Sequence, residues 1–189
     1  MIIIRLDKKA NTRSGFMNKD SRMTTRDMIL SGFFVAIVFV ATYLLQIRLP
    51  IPATGGLIHL GNIAMFSIAL KYGKKFGAIS GGFGMALFDV ASMWVAWAPA
   101  TLIIRFTAGF VIGKVSETEN GQGNNVFKNI IALMVGGVVI IVGYFIFEAW
   151  ILGIGLAASA SVLGNLIQIG IGFISIGLIK ALPNVSESV

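Results

Sequence analysis

The chain contains no cysteine, which excludes disulfides, thiol chemistry and cysteine-held metal and leaves the redox compartment unread. It has a single histidine, His59, too few to build a histidine metal centre. Charge is scarce: 12% of the 189 residues are charged against 56% hydrophobic. Soluble domains carry about a quarter charged residues, so the composition is that of one integral-membrane unit. Acidic residues are rarer than basic ones, 8 against 15, for a net charge of +7. The basic residues crowd into a few polar segments, a pattern of membrane-facing loops rather than of nucleic-acid binding. A G-x-x-x-x-G-K-[ST] phosphate loop is also missing, so any active transport must take its energy from ions or from another subunit.

What is present is a succession of apolar stretches. Residues 1–26 hold Arg5, Lys8, Lys9, Arg13, Lys19, Arg22 and Arg26 around the short run Ile2-Ile3-Ile4; this lacks a signal-peptide core and reads as a basic cytoplasmic arm, with Met17 and Met23 as alternative starts. Residues 28–47 are free of charge, and twenty residues at about 1.5 Å each span a hydrocarbon core of about 30 Å. Two prolines and a glycine pair in residues 49–56 then break the helix and shape a loop. Residues 57–72 form a second, rather short span. The basic turn Lys71, Lys74, Lys75 precedes residues 76–105, which are too long for one crossing and are divided by Pro99 and the aromatics Trp94 and Trp97 into helices three and four. The polar loop 114–128 separates two halves. Residues 126–150 make helix five, Gly153, Gly155 and residues 157–161 a loose turn, and residues 162–179 helix six. The expected fold is an all-α integral membrane protein, a bundle of six transmembrane helices (27–182) with a short tail (183–189). Lysines in the arm, the 71–75 turn, the 114–128 loop and Lys180 fall on one side and only Arg48 on the other. By the positive-inside rule both termini are cytoplasmic.

That topology sets the depth of the polar residues. His59 and Asn62 begin helix two, Asp89 and Ser92 end helix three, and Trp97 and Thr101 begin helix four, with Arg105 about two turns in. Tyr144 and Glu148 end helix five; Asn165 and Gln168 begin helix six. All share the outer leaflet, whereas Gly77, Gly81, Gly82, Gly84, Gly109, Gly113, Gly136 and Gly137 fill the inner half. The pattern predicts an outward-facing cup over a closely packed floor, since small residues let membrane helices approach. Ionisable groups at membrane depth are functional candidates by default, each costing roughly 2.5 to 3.5 kcal/mol to insert. The candidate substrate-binding set is His59, Asn62, Asp89, Trp94, Trp97, Arg105, Glu148, Asn165 and Gln168. Alternatives stand beside it: Asp89 and Arg105 as a pair that only neutralise each other, His59 as a hydrogen-bonding loop end, and Trp94, Trp97 and Trp150 as an interfacial belt. An embedded serine protease is excluded, because Ser80 lies near the inner end of helix three and the only histidine at the outer end of helix two, out of hydrogen-bond reach.

Gly55-Gly56-Leu57-Ile58-His59-Leu60-Gly61-Asn62, Tyr72-Gly73-Lys74-Lys75-Phe76-Gly77-Ala78 and Trp97-Ala98-Pro99-Ala100-Thr101 together resemble the substrate-binding S components of energy-coupling factor (ECF) vitamin transporters. The resemblance runs from about Thr24 to Lys180 and is closest to the hydroxymethylpyrimidine or pyridoxine type of lactic acid bacteria. It implies a multi-pass subunit of the bacterial cell membrane that captures a vitamin from outside. Its implied partners are a transmembrane coupling subunit of EcfT type and two cytoplasmic ATPases of EcfA type, with no cofactor, metal or nucleic acid. It also implies that Gly32 and Ala36, at the family's A-x-x-x-A positions with glycine in place of the first alanine, dock the coupling subunit, packing inside the bundle being the alternative reading of that small-residue pattern, and that residues 49–56 gate the pocket. A flat heteroaromatic ring stacked on Trp94 or Trp97 favours a pyrimidine or pyridine; Arg105 would suit a carboxylate such as that of pantothenate. The competing reading is a self-sufficient carrier or channel using Asp89 and Glu148 as proton relays.

Overall fold

The computed structural model describes residues 23–48, 57–117 and 122–183. Most of the expected arm, the expected gating loop 49–56 and nearly all of the tail lie outside these residues. Helix α1 (Thr25–Leu44) opens with a reciprocal cap: the Asp27 amide donates to Thr24 Oγ1 at 3.1 Å and the Thr24 amide to Asp27 Oδ2 at 3.0 Å, a capping box in which two orphan donors of the first turn are satisfied. From Ser31 onward the described residues form one compact unit. Ser31, Phe34, Val38 and Thr42 are the buried face of α1 within it.

Past Leu44 the chain is extended rather than helical. Strand β1 (Gln46–Arg48) pairs antiparallel with β2 (Leu57–His59), Ile47 opposite Ile58, so the expected first helix is three residues shorter at its end and the second begins with a strand. Helix α2 (Gly61–Tyr72) follows. Its twelve residues rise about 18 Å, well short of the hydrocarbon core of about 30 Å. It is the core of the bundle: Met65, Phe66, Ile68, Ala69 and Leu70 are all buried, as expected of a helix apolar on every side.

Helix α3 (Lys74–Ala91) starts immediately after Gly73, whose φ of 88° turns the chain between α2 and α3, a backbone region that a side chain resists. Helix α4 (Ala98–Val115) follows the 3₁₀ turn Val95–Trp97 and has Pro99 in its first turn, where the missing amide costs no hydrogen bond. The crossing of α3 and α4 is backbone to backbone. A Cβ on Gly77 would lie 2.5 Å from the Ala69 Cβ and 2.9 Å from the Gly109 carbonyl oxygen, and one on Gly109 would collide with the Gly77 carbonyl. The close-packed glycine floor expected from the sequence is present at this crossing.

Helix α5 (Val126–Ile146) is capped by Asn125, whose side chain accepts from the Lys128 amide, and runs directly into a π-helical turn, Phe147–Ile151. Gly153 and Gly155 adopt positive φ before a 3₁₀ turn (Gly155–Ala158) and helix α6 (Ser159–Gly172); one further turn, α7 (Ser175–Leu178), completes the helices. Among the described residues four segments are long and apolar enough to cross a membrane: Thr25–Leu44, Val95–Val115, Val126–Ile151 and Gly155–Leu178. Outward faces carry Phe33, Val40, Leu44, Met134, Val138, Leu163 and Leu166, while Asn62, Asp89, Arg105 and Glu148 are buried. Apolar outside and polar within is the arrangement of a membrane protein.

The lysine-bearing end is tied by polar contacts. Glu117 pairs with Lys114 at 3.1 Å and Lys74 at 3.8 Å, and the Lys114 hydrogen bond chiefly holds its carboxyl below the usual glutamate range. Gln122 Nε2 donates to the Gly113 carbonyl at 2.9 Å and to Ser116 Oγ at 2.6 Å, and Asn129 Nδ2 to the Gly123 carbonyl at 2.8 Å.

Candidate functional site

At the opposite end the C-termini of α3 and α5 meet the N-termini of α4 and α6. A cavity of about 580 Å³, its open mouth included, lies there. Its walls come from β2 (Leu57, His59), the end of α3 and the turn after it (Asp89, Trp94), the start of α4 (Trp97, Thr101, Arg105), the end of α5 (Tyr144, Glu148) and α6 (Ser161, Gly164, Asn165, Gln168). Every member of the expected set lines it except Asn62, which stands one layer behind. Thr101 and Arg105 share one face of α4, with Trp97 four residues earlier in the 3₁₀ turn; Tyr144 lies in the last turn of α5, just before Glu148 on the π-helical turn, and Ser161, Asn165 and Gln168 share one face of α6.

Arg105 is only 2% exposed and places two of its donors on neighbouring helices. Its Nη1 donates to Asn62 Oδ1 at 2.6 Å, its Nε to the Tyr144 hydroxyl at 3.2 Å, and its guanidinium lies 5.2 Å from the centre of the Tyr144 ring. The Tyr144 hydroxyl is in turn 2.9 Å from Thr101 Oγ1. Arginine suits this role because its planar fork offers several fixed donors at once. Among the described residues the ion pairs are Lys74–Glu117 and Lys114–Glu117. Asp89 and Arg105 therefore do not neutralise each other through direct contact.

The carboxylates are left with capacity to spare. Glu148, carried on the π-helical turn, accepts from Trp97 Nε1 at 3.1 Å through Oε1, while its Oε2 has no partner. π-helical turns recur at functional sites because they re-aim one side chain within a helix. Asp89 Oδ2, Gln168 Oε1, Trp94 Nε1 and His59 Nδ1 are likewise buried without a partner. Gln168 is held by its other end, Nε2 donating to the Leu57 carbonyl at 2.7 Å, which ties α6 to the hairpin. Unpaired buried polar atoms cost about 1–3 kcal/mol each, and five of them line this one cavity, which makes it the candidate ligand site. Trp94 and Trp97 meet edge to face, centres 5.2 Å apart at 79°, and are half-buried at the cavity. Trp150 is 76% exposed and lies outside it, so the three tryptophans divide: two at the cavity, one on the outer surface.

Leu57, Ser161 and Gly164 also line the cavity and were not singled out in the sequence; Thr101 and Tyr144 were placed at the right depth but left out of the set. Helical spacing back from Gln168 and Asn165 leads to Ser161, and strand alternation back from His59 leads to Leu57. On α1, Gly32 and Ala36 lie on the exposed face, and a Cβ on Gly32 would meet nothing within 4 Å. Ala36 borders a shallow apolar groove with Phe33, Ile37, Val40, Ala41, Leu44 and Leu45.

The family model described as ECF-type riboflavin transporter, S component, matches residues 22–183. The chain belongs to this family. A protein of Pyrococcus woesei described as an uncharacterized protein in a gap 3' region is 34% identical over 98 residues, which cover 52% of this chain and 63% of that protein. The chain thus spans less than two thirds of the length of the curated relative it matches.

Proposed function

We propose that the chain is the substrate-binding subunit of an ECF-type transporter, capturing a water-soluble vitamin or vitamin precursor from outside the cell membrane. An EcfT-type coupling subunit and two EcfA-type ATPases would then drive its delivery. The family match over residues 22–183 carries this reading; the polar cavity gives the vitamin a place to sit. The cavity faces outward in this reading, because Lys71, Lys74, Lys75, Lys114, Lys128 and Lys180 gather at the other end of the bundle and positive loops stay in the cytoplasm. The exposed Gly32–Ala36 face of α1 is the proposed docking stripe, small residues allowing a partner helix to approach closely.

Within the vitamins, hydroxymethylpyrimidine or pyridoxine is favoured: a small flat ring for Trp94 and Trp97, with amino or hydroxyl donors for the unpaired oxygens of Asp89, Glu148 and Gln168. Riboflavin is the second reading, favoured by the description of the matching family. Mass spectrometry of small molecules released from the purified chain tests both. A pyrimidine or pyridine mass supports the first, a flavin mass the second, and the absence of any bound or bindable vitamin contradicts the function itself.

A further inference from the structure

We propose a second binding site, at the lysine-bearing end of the bundle, for a phosphate ester that carries a free hydroxyl, as in the headgroup of phosphatidylglycerol. It is separate from the vitamin cavity and holds whichever vitamin the chain takes. A cavity of about 430 Å³, its open mouth included, lies between the end of α2, the start of α5 and the segment around α7. Lys71 and Lys180 stand in its wall with Gln122, Val126, Asn129 and Ile179. Among the described residues that wall has no acidic side chain, and the ion pairs go to Lys74 and Lys114 instead. Two ammonium groups therefore share one cavity with no carboxylate to balance them. The chain holds them together there: the Tyr72 hydroxyl, next to Lys71, donates to the Pro183 carbonyl at 3.0 Å, just past Lys180.

The two lysines, with the positive end of α5 starting at Val126 in the same wall, call for an anion. Asn129 adds a second requirement. It is buried, 0% exposed, and its Nδ2 donates to the Gly123 carbonyl at 2.8 Å. A carbonyl only accepts, so the amide is fixed in that sense and its Oδ1 is the end left without a partner. A carboxylate or a bare phosphodiester has no donor to give it. A phosphate ester with a hydroxyl on the adjoining carbons meets both needs, its phosphate oxygens on the lysines and its hydroxyl on Asn129. The wall is set before anything binds, since Gln122 Nε2 is held by the Gly113 carbonyl and Ser116 Oγ. Apolar surface beside the cavity favours a lipid over a soluble ester: Val126 and Phe127 are 49% and 70% exposed, and Ile176 and Ile179 continue the lining. The clustered lysines put this end at the cytoplasmic headgroups, where basic pockets between membrane helices take anionic lipid.

The test is native mass spectrometry of the purified full chain in neutral detergent, titrated with phosphatidylglycerol, phosphatidylcholine and phosphatidylethanol of the same acyl chains. A single phosphatidylglycerol should be retained, at least about tenfold more tightly than phosphatidylcholine, whose choline cation offsets its phosphate. Phosphatidylethanol keeps the charge but has no hydroxyl, and should bind about fivefold more weakly than phosphatidylglycerol, the worth of one hydrogen bond. Removing both cavity lysines, Lys71→Gln with Lys180→Gln, should weaken phosphatidylglycerol at least about tenfold. Lys75→Gln with Lys114→Gln removes the same charge outside the cavity and should change binding less than about twofold. Equal losses in the two pairs overturn the proposal, reducing it to general surface charge. The lipid comparisons need no variant: phosphatidylglycerol binding no better than phosphatidylcholine, or no better than phosphatidylethanol, overturns it as well. Free sn-glycerol 3-phosphate separates the two sources of the ester. Failure to displace the lipid supports a lipid site, whereas displacement supports the site and assigns it to the soluble ester.

Discussion

Replacing Arg105 with lysine separates two roles that the sequence alone leaves open. If Arg105 were only the counter-charge of Asp89, a lysine would serve nearly as well, since it keeps the charge at the same depth. In the structure Arg105 is a strut: one donor reaches Asn62 on α2, another reaches Tyr144 on α5, and the guanidinium lies against the Tyr144 ring. A lysine ammonium has no planar fork and can keep one of these contacts, not both. Losing one hydrogen bond to a charged group costs about 1.5–3 kcal/mol, and losing the ring contact about 0.5–2 kcal/mol more. Arg105→Lys is therefore expected to destabilise the folded chain by roughly 2–5 kcal/mol, read as a shift in reversible unfolding in mixed detergent micelles. Tyr144→Phe, which removes the hydroxyl shared by Arg105 and Thr101, should cost about 1–2 kcal/mol. Asp89→Asn should change stability by less than about 1 kcal/mol, because its Oδ2 has no partner to lose. A stable Arg105→Lys chain beside an unfolded Asp89→Asn chain would refute the strut and restore the ion pair.

Three further outcomes follow from the fold. Leu156→Cys and Lys75→Cys, at opposite ends of the bundle and introduced into a chain with no cysteine of its own, should label from opposite sides of the membrane; labelling of both from outside would reverse or break the proposed topology. Gly32→Leu or Ala36→Leu should leave vitamin affinity near normal in detergent while association with the coupling subunit and ATP-driven uptake fall together; retained uptake would move the docking face elsewhere. Gly77→Val should destabilise by about 1–3 kcal/mol through overpacking at the crossing of α3 and α4, whereas Gly170→Ala, with nothing within 4 Å of the added carbon, should be silent. Equal tolerance at both glycines would contradict the backbone-to-backbone crossing.

Much of the cavity was legible because membrane depth is a strong filter. A charge or amide inside an apolar stretch needs a reason, and Asp89, Arg105, Glu148, Asn165 and Gln168 stood out for that reason alone. Pairing was not legible: composition places Arg105 near Asp89 in depth, but only three-dimensional packing shows its donors going to Asn62 and Tyr144. The hairpin was missed because Ile47 and Ile58 continue apolar runs that read equally well as helix, and short apolar runs do not distinguish the two periods. The π-helical turn at Phe147–Ile151 has no sequence mark, since an extra residue in one turn leaves the apolar pattern almost unchanged. Ser161 and Thr101 carry no charge, so nothing at the level of hydropathy separated them from the helix surface.

Uptake into sealed liposomes is the measurement that bears most directly on the central claim. The purified chain should be reconstituted alone, with an imposed proton gradient, and again together with EcfT-type and EcfA-type subunits and ATP. The account predicts no accumulation of vitamin by the chain alone, with or without the gradient, and ATP-dependent accumulation once the partner subunits are present. Gradient-driven accumulation by the chain alone would contradict it and favour a self-sufficient proton-coupled carrier.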